Sequence, residues 1–244
     1  MIRNAPRSDW SVPFPDVVIC QTNESLVRKH SHYAPAKAGD AKAAEILVRE
    51  FVTEDFYSRV RAVYESDCFP ILLAVHAEEE TGRNQIAIAL SAFLIEKLDL
   101  TDEGRTIRNR IVQENIVNHT LADGFSRLSR QALFVGEVEA SRPYFLVDDF
   151  IGQGGTLANL RGHVIEGGGK VVGAAVLTGK PYSAKISLDA LRLQELRIKY
   201  GRDLEQWWQK RFGFGFECLT ESEARYLIKT SDADKIRNSI TSAG

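Results

Sequence analysis

Two adjacent carboxylates, Asp148 and Asp149, stand just ahead of a glycine-rich turn, Gly152-Gln153-Gly154-Gly155-Thr156. Ionised carboxylates accept hydrogen bonds from vicinal hydroxyls, and glycines let backbone N–H groups close on an anion. A helical pattern begins after Thr156, and a helix start adds the positive end of its dipole. An apolar run, Tyr144 to Val147, precedes the acids. The order is therefore strand, acid pair, anion turn, helix, set at the carboxyl edge where parallel α/β sheets bind ligands. A diol acceptor and a phosphate cradle a few residues apart describe a sugar-phosphate site. The turn is not a dinucleotide fingerprint, because Leu157 occupies the place of the last glycine, and it lacks the Gly-Lys-Ser/Thr of a P-loop.

Residues 143–178 resemble the 5-phosphoribosyl-1-pyrophosphate (PRPP) motif of type I phosphoribosyltransferases. Asp148, Asp149, Gly154, Gly155 and Thr156 match that motif. Gln153 replaces the usual Thr, and Gly152 stands where the 6-oxopurine enzymes carry an acid. The resemblance implies that Asp148 and Asp149 hold the ribose 2′- and 3′-hydroxyls and that Gly152 to Thr156 cradle the 5′-phosphate. It implies an α/β fold, a parallel sheet flanked by helices, with a mostly helical hood drawn from both termini. The reaction implied is displacement at ribose C1 of PRPP by a nitrogenous base, with release of pyrophosphate, or its reverse. Mg²⁺ enters with PRPP, and the resemblance names no protein ligand for it.

Three further segments match what that chemistry needs. The resemblance implies a pyrophosphate loop after the apolar strand at 69–75, with Thr81, Gly82 and Arg83 as donors. Glu78-Glu79-Glu80 beside them reads equally well as a solvated charge run. The resemblance implies that the polar stretch 113–131 is a loop that closes over the site, with His119, Arg127 and Arg130 as the cations that would meet the leaving group. Lys180, beyond the strand at 171–177, would lie on the base side. Each of these residues also reads as an ordinary surface side chain. The same fold admits a second role, a PRPP or nucleotide sensor that binds without turnover and acts through a partner.

The elements that must position these groups follow from periodicity. Residues 1–35 are punctuated by prolines and read as loop, with a short apolar run at 17–20. Helical stripes cover 38–64 and 84–98, and a strand is expected at 132–138. Segment 107–117 carries either a strand or a helix. The C-terminal part predicts helices over 186–199, 203–211, 221–229 and 232–240, with Trp207, Trp208, Phe212, Phe214 and Phe216 as hood core. One domain is expected, with its core at about 65–180 and the hood from about 1–64 and 181–244.

The 244 residues are 44% hydrophobic, enough for a substantial core, and carry a formal net charge of −2, which gives no global field for nucleic acid. Three separated cysteines, Cys20, Cys68 and Cys218, indicate neither a disulfide framework nor a zinc site and suit a reduced cytoplasmic setting. His30 and His32 lack a third ligand and read as a surface loop. No run is long enough to suggest a membrane span. The expected partners are PRPP and a base or nucleotide, and the resemblance also admits a homodimer.

Overall fold

The apolar runs are short, nearly continuous and rich in Val, Ile and Leu, the pattern of strands covered on both faces. The computed structural model describes residues 4–64, 70–79, 82–98, 111–115 and 124–243. In chain order its first elements are β1 (Val18–Gln21), α1 (Glu24–Arg28), α2 (Tyr33–Lys37), α3 (Ala41–Phe51), α4 (Glu54–Tyr64), β2 (Ile71–Ala74), β3 (Glu78–Glu79), β4 (Gly82–Arg83) and α5 (Ile86–Lys97). They are followed by β5 (Val112–Gln113), α6 (Gly124–Ser129), β6 (Phe134–Val135), β7 (Pro143–Ile151), α7 (Gly155–Glu166), β8 (Lys170–Gly179), α8 (Ala190–Phe212), α9 (Glu221–Ile228) and α10 (Ala233–Ala243). The main sheet has the order β1-β8-β7-β2, and every pair in it is parallel. The chain is thus α/β, a four-stranded parallel sheet flanked by helices.

Side-chain parity along the strands sorts the core into two layers, because neighbouring residues of a strand face opposite sides. Val18, Leu72, Phe145, Val147, Ala175 and Leu177 pack with Leu47 of α3, Phe56 and Val60 of α4 and Leu90 of α5. Val17, Ile19, Ile71, Leu73, Tyr144, Leu146, Ala174 and Val176 pack on the other face with Leu157, Leu160 and Val164 of α7. A third core joins α6, α8, α9 and α10 around Trp208, Phe212, Phe214 and Phe216, all buried as expected. α8 breaks at Gly201 (φ 70°, ψ −176°), so the two expected helices are there, abutted at a kink.

Four expectations are corrected. The run at 17–20 is not loop but β1, made a strand by its ladder to β8 (Val18 opposite Ala175). The strand expected at 132–138 shrinks to Phe134–Val135, which pairs antiparallel with Val112–Gln113 outside the main sheet. Both pairings are long-range ladders that a local pattern cannot reveal. β7 does not stop before the acids. It runs through them to Ile151, held by Asp148 opposite Val176 and Phe150 opposite Thr178. Finally, α3 and α4 do not act as hood. Their apolar stripes cover one face of the sheet beside α5. The segment from Asn4 to Phe14 crosses to the C-terminal part of the chain, for example through Trp10 Nε1, which donates to the Leu219 carbonyl at 2.7 Å.

Candidate functional site

A cavity of about 140 Å³ opens at the carboxyl edge of the sheet, between β2 and β7 on one side and the start of α7 on the other. Asp148 and Asp149 both line it, although parity sends them to opposite sides of β7. Asp149 follows Phe145 and Val147 toward the layer of α2 and α5, where Lys37 Nζ donates to its Oδ2 at 2.9 Å. Asp148 follows Tyr144 and Leu146 toward α7, and its Oδ1 accepts the Asp149 backbone N–H at 2.8 Å.

Both carboxyls are buried, and their surroundings drive them apart. Burial pushes Asp149 up, but the charge and hydrogen bond of Lys37, with hydrogen bonds involving the Asp148 and Asn84 side chains, outweigh it and hold Asp149 below the usual carboxylate range. Asp148 is pushed well above that range, first by burial and then by the charge of Asp149. The ionised member of the pair is therefore Asp149. Asn84 sits just ahead of α5, where its Oδ1 also accepts the Ile86 N–H at 3.1 Å, so the start of that helix fixes the side chain that meets Asp149.

The glycine turn is held from behind. Ser183 Oγ donates to the Gly152 carbonyl and Thr220 Oγ1 to the Gln153 carbonyl, both at 2.5 Å. In a trans peptide the N–H points opposite its carbonyl, so anchoring these two carbonyls turns the next N–H groups the other way. The N–H groups of Gln153 to Thr156 find no acceptor among the described residues, as the first turn of a helix leaves them. Gly154 caps α7 in the left-handed region (φ 82°), and a Cβ there would stand 3.1 Å from Ile186. Gln153, Gly154, Gly155 and Thr156 all line the cavity, and the buried Oε1 of Gln153 has no hydrogen-bond partner among the described residues.

The cations expected from the sequence divide. Arg127 lines the cavity, with Nη1 3.0 Å from where a Cβ on Gly152 would stand. Arg130 is at the rim, exposed, and its Nε donates to the Ala243 carbonyl at 3.2 Å. Lys180 is exposed over the Tyr182 ring, 5.9 Å from its centroid, and does not line the cavity. Gly82 and Arg83 form β4, paired with Glu78–Glu79, and do not line it either, although Ala77 and Asn84 on their flanks do. Thr81 and His119 lie outside the described residues. Among the described residues no group of three His, Cys, Asp or Glu side chains is placed to hold a metal ion. His30 instead meets Glu50 through Nε2 at 2.7 Å.

Several cavity residues carry no sequence signal. Lys37 precedes its partner Asp149 by 112 residues. Arg7 makes a two-pronged ion pair with Glu223, Nη1 to Oε2 at 2.8 Å and Nη2 to Oε1 at 2.9 Å, across 216 residues. It also donates through Nε to Asn159 Oδ1. Glu223 in turn closes a capping box with Thr220, so one buried network links the N-terminal segment, α9 and the glycine turn. Arg28 also lines the cavity, stacked 4.9 Å from the centre of the Phe150 ring.

No family model matches the chain. The chain is similar to Protein TraN of Escherichia coli. The two are 33% identical over 239 residues, which is 98% of this chain and 52% of TraN. An uncharacterized protein of Haemophilus influenzae is 34% identical over 160 residues, 66% of this chain and 34% of that protein. The chain therefore spans about half the length of the first relative and about a third of the second. No helix among the described residues is long and apolar enough to cross a membrane.

Proposed function

We propose that the cavity binds a 5-phosphorylated ribose and that the chain is a phosphoribosyltransferase-like protein whose ligand is PRPP. The observation that carries this reading is the turn at 152–156. Its carbonyls are tied back by Ser183 and Thr220, while its N–H groups lie at the start of α7 beside two buried carboxyls. Such a turn suits a phosphate, and Asp148 and Asp149 suit the ribose diol. The type I phosphoribosyltransferase motif supports the same assignment. Lys37 already neutralises Asp149, and Asp148 is held up in pKa, so the pair is a poor cage for a divalent ion. Mg²⁺ would arrive on the phosphoryl oxygens of PRPP and neutralise the departing pyrophosphate. In the transfer reaction Arg127, beside Gly152, would meet anionic charge near the turn.

Calorimetry with PRPP and Mg²⁺ tests the binding half of the proposal. Replacing Asp148 and Asp149 together by Asn removes one hydrogen bond to an ionised carboxylate, worth roughly 1.5–3 kcal/mol, and weakens one to a neutral carboxyl, worth roughly 0.5–1.5 kcal/mol, and is expected to weaken PRPP at least tenfold. Unchanged affinity would sink the assignment. A specific observation favours the second reading, a sensor that binds without turnover: Gly82 and Arg83, the expected pyrophosphate donors, stay out of the cavity. Pyrophosphate release from PRPP across a panel of bases separates the two, since a sensor binds and releases none.

A further inference from the structure

Gly82 and Arg83, expected from sequence to hold a second anionic group, stay out of the proposed ribose-phosphate site, while a half-buried ammonium, that of Lys37, lines it. Lys37 closes α2 and reaches Asp149 from the sheet layer that holds α2 and α5, opposite the layer of α7, with its side chain 17% exposed. α2 does not arrive there alone. Its Ala36 carbonyl accepts the Gln85 N–H at 3.0 Å, and Gly82 lies so close to the Ala38 carbonyl that a Cβ would meet that oxygen at 2.4 Å. The segment 82–85 and α2 are therefore docked backbone to backbone. Both send a side chain, Asn84 and Lys37, to the same carboxylate. The loop after β2 thus brings its cation from another helix rather than from its own Arg83.

Lys37, Arg7 and Arg28 are each paired with a carboxylate, Lys37 with Asp149 at 2.9 Å. Arg7 is matched by Glu223 at 2.8 Å, and Arg28 by Glu24 at 2.6 Å. An ammonium has three N–H donors, and Asp149 has a second oxygen. A sugar hydroxyl can share Asp149 with Lys37, and the ammonium can then bridge from that carboxylate to an anion beyond the diol. A 5-phosphate on the glycine turn lies on the other side of the acids and does not need it.

Resting on the PRPP reading, we infer that Lys37 is a specificity-determining residue. It recognises a second, diphosphate-type group on the ribose and so separates a 1,5-bisphosphorylated ribose ligand from ribose 5-phosphate. The test is calorimetry of PRPP with Mg²⁺ and of ribose 5-phosphate on the wild type, Lys37→Met and Lys37→Arg. Lys37→Met takes the counter-charge from Asp149 for both ligands, and is expected to weaken PRPP about tenfold more than it weakens ribose 5-phosphate, the scale of one charge-assisted hydrogen bond. Lys37→Arg keeps the charge and is expected to retain the preference for PRPP. Should Lys37→Met fail to fold, lysine acylation of the wild type read by peptide mass spectrometry decides: PRPP must shield Lys37 more than ribose 5-phosphate does at saturation. Equal losses for both ligands, or equal shielding, overturn the role of Lys37 and leave the ribose-phosphate site standing. Binding of neither ligand by the wild type overturns both.

Discussion

At the scale of single residues, the acid pair is costly to keep. Asp148 is buried against the charge of Asp149 and its carboxyl is raised, so its ionisation opposes folding. That penalty is absent at acidic pH, below the ordinary carboxylate range, and grows as the pH rises through the raised value. Asp149 behaves oppositely: its lowered carboxyl contributes stability above the ordinary range that is lost only as the pH falls through the lowered value. Asp148→Asn alone should therefore raise the melting temperature of the unliganded protein by on the order of a few degrees near pH 8. The gain should fade toward about pH 4. Thermal melts at several pH values check this, and a gain independent of pH would contradict it. The same substitution should weaken the proposed ligand, so the site trades stability for binding.

At the scale of elements, the anion turn depends on a helix far away in sequence. Thr220 is the N-cap of α9, receives the Glu223 N–H on its hydroxyl at 3.1 Å, and holds the Gln153 carbonyl. Thr220→Val keeps the volume and removes both functions. The expected loss is about 1–2 kcal/mol in stability from the cap, together with weaker phosphate binding. Thr220→Ser should restore most of both, as read by chemical denaturation and calorimetry. Gly154→Ala attacks the same turn from the backbone side. A Cβ at φ 82° against Ile186 should cost roughly 1–2 kcal/mol while leaving the sheet intact.

At the scale of the whole molecule, Arg7 and Glu223 clasp the N-terminal segment to the C-terminal helices beside the cavity. Their side chains are 1% and 2% exposed. Removing one partner leaves a buried charge without its counter-charge, which costs about 3–5 kcal/mol. Arg7→Met and Glu223→Gln are each expected to lower the urea midpoint by that scale, and the double variant by much less than their sum. Additive losses would mean that the two residues act separately. Because Glu223 also caps α9, the clasp joins three regions of the chain, and loosening it is expected to raise the protease sensitivity of residues 4–14.

The sequence alone determined the strand at 71–74, the apolar strand from Tyr144 to Val147 that enters the acids, the helix after Thr156, the split of the long C-terminal helix and the acid–glycine motif that lines the cavity. These are local: apolar runs, glycine punctuation and helical spacing act within a few residues, and a short motif keeps its geometry when its strand and helix form. Tertiary structure alone decided that residues 18–21 are an edge strand, that α3 and α4 cover a sheet face, and that Lys37, Asn84, Ser183, Thr220 and Arg7 converge on the motif. The physical reason is the same in each case. A four-residue strand has no stability without its neighbour's ladder. A buried carboxylate requires a partner, but nothing in its own neighbourhood of the chain names which distant cation will supply it.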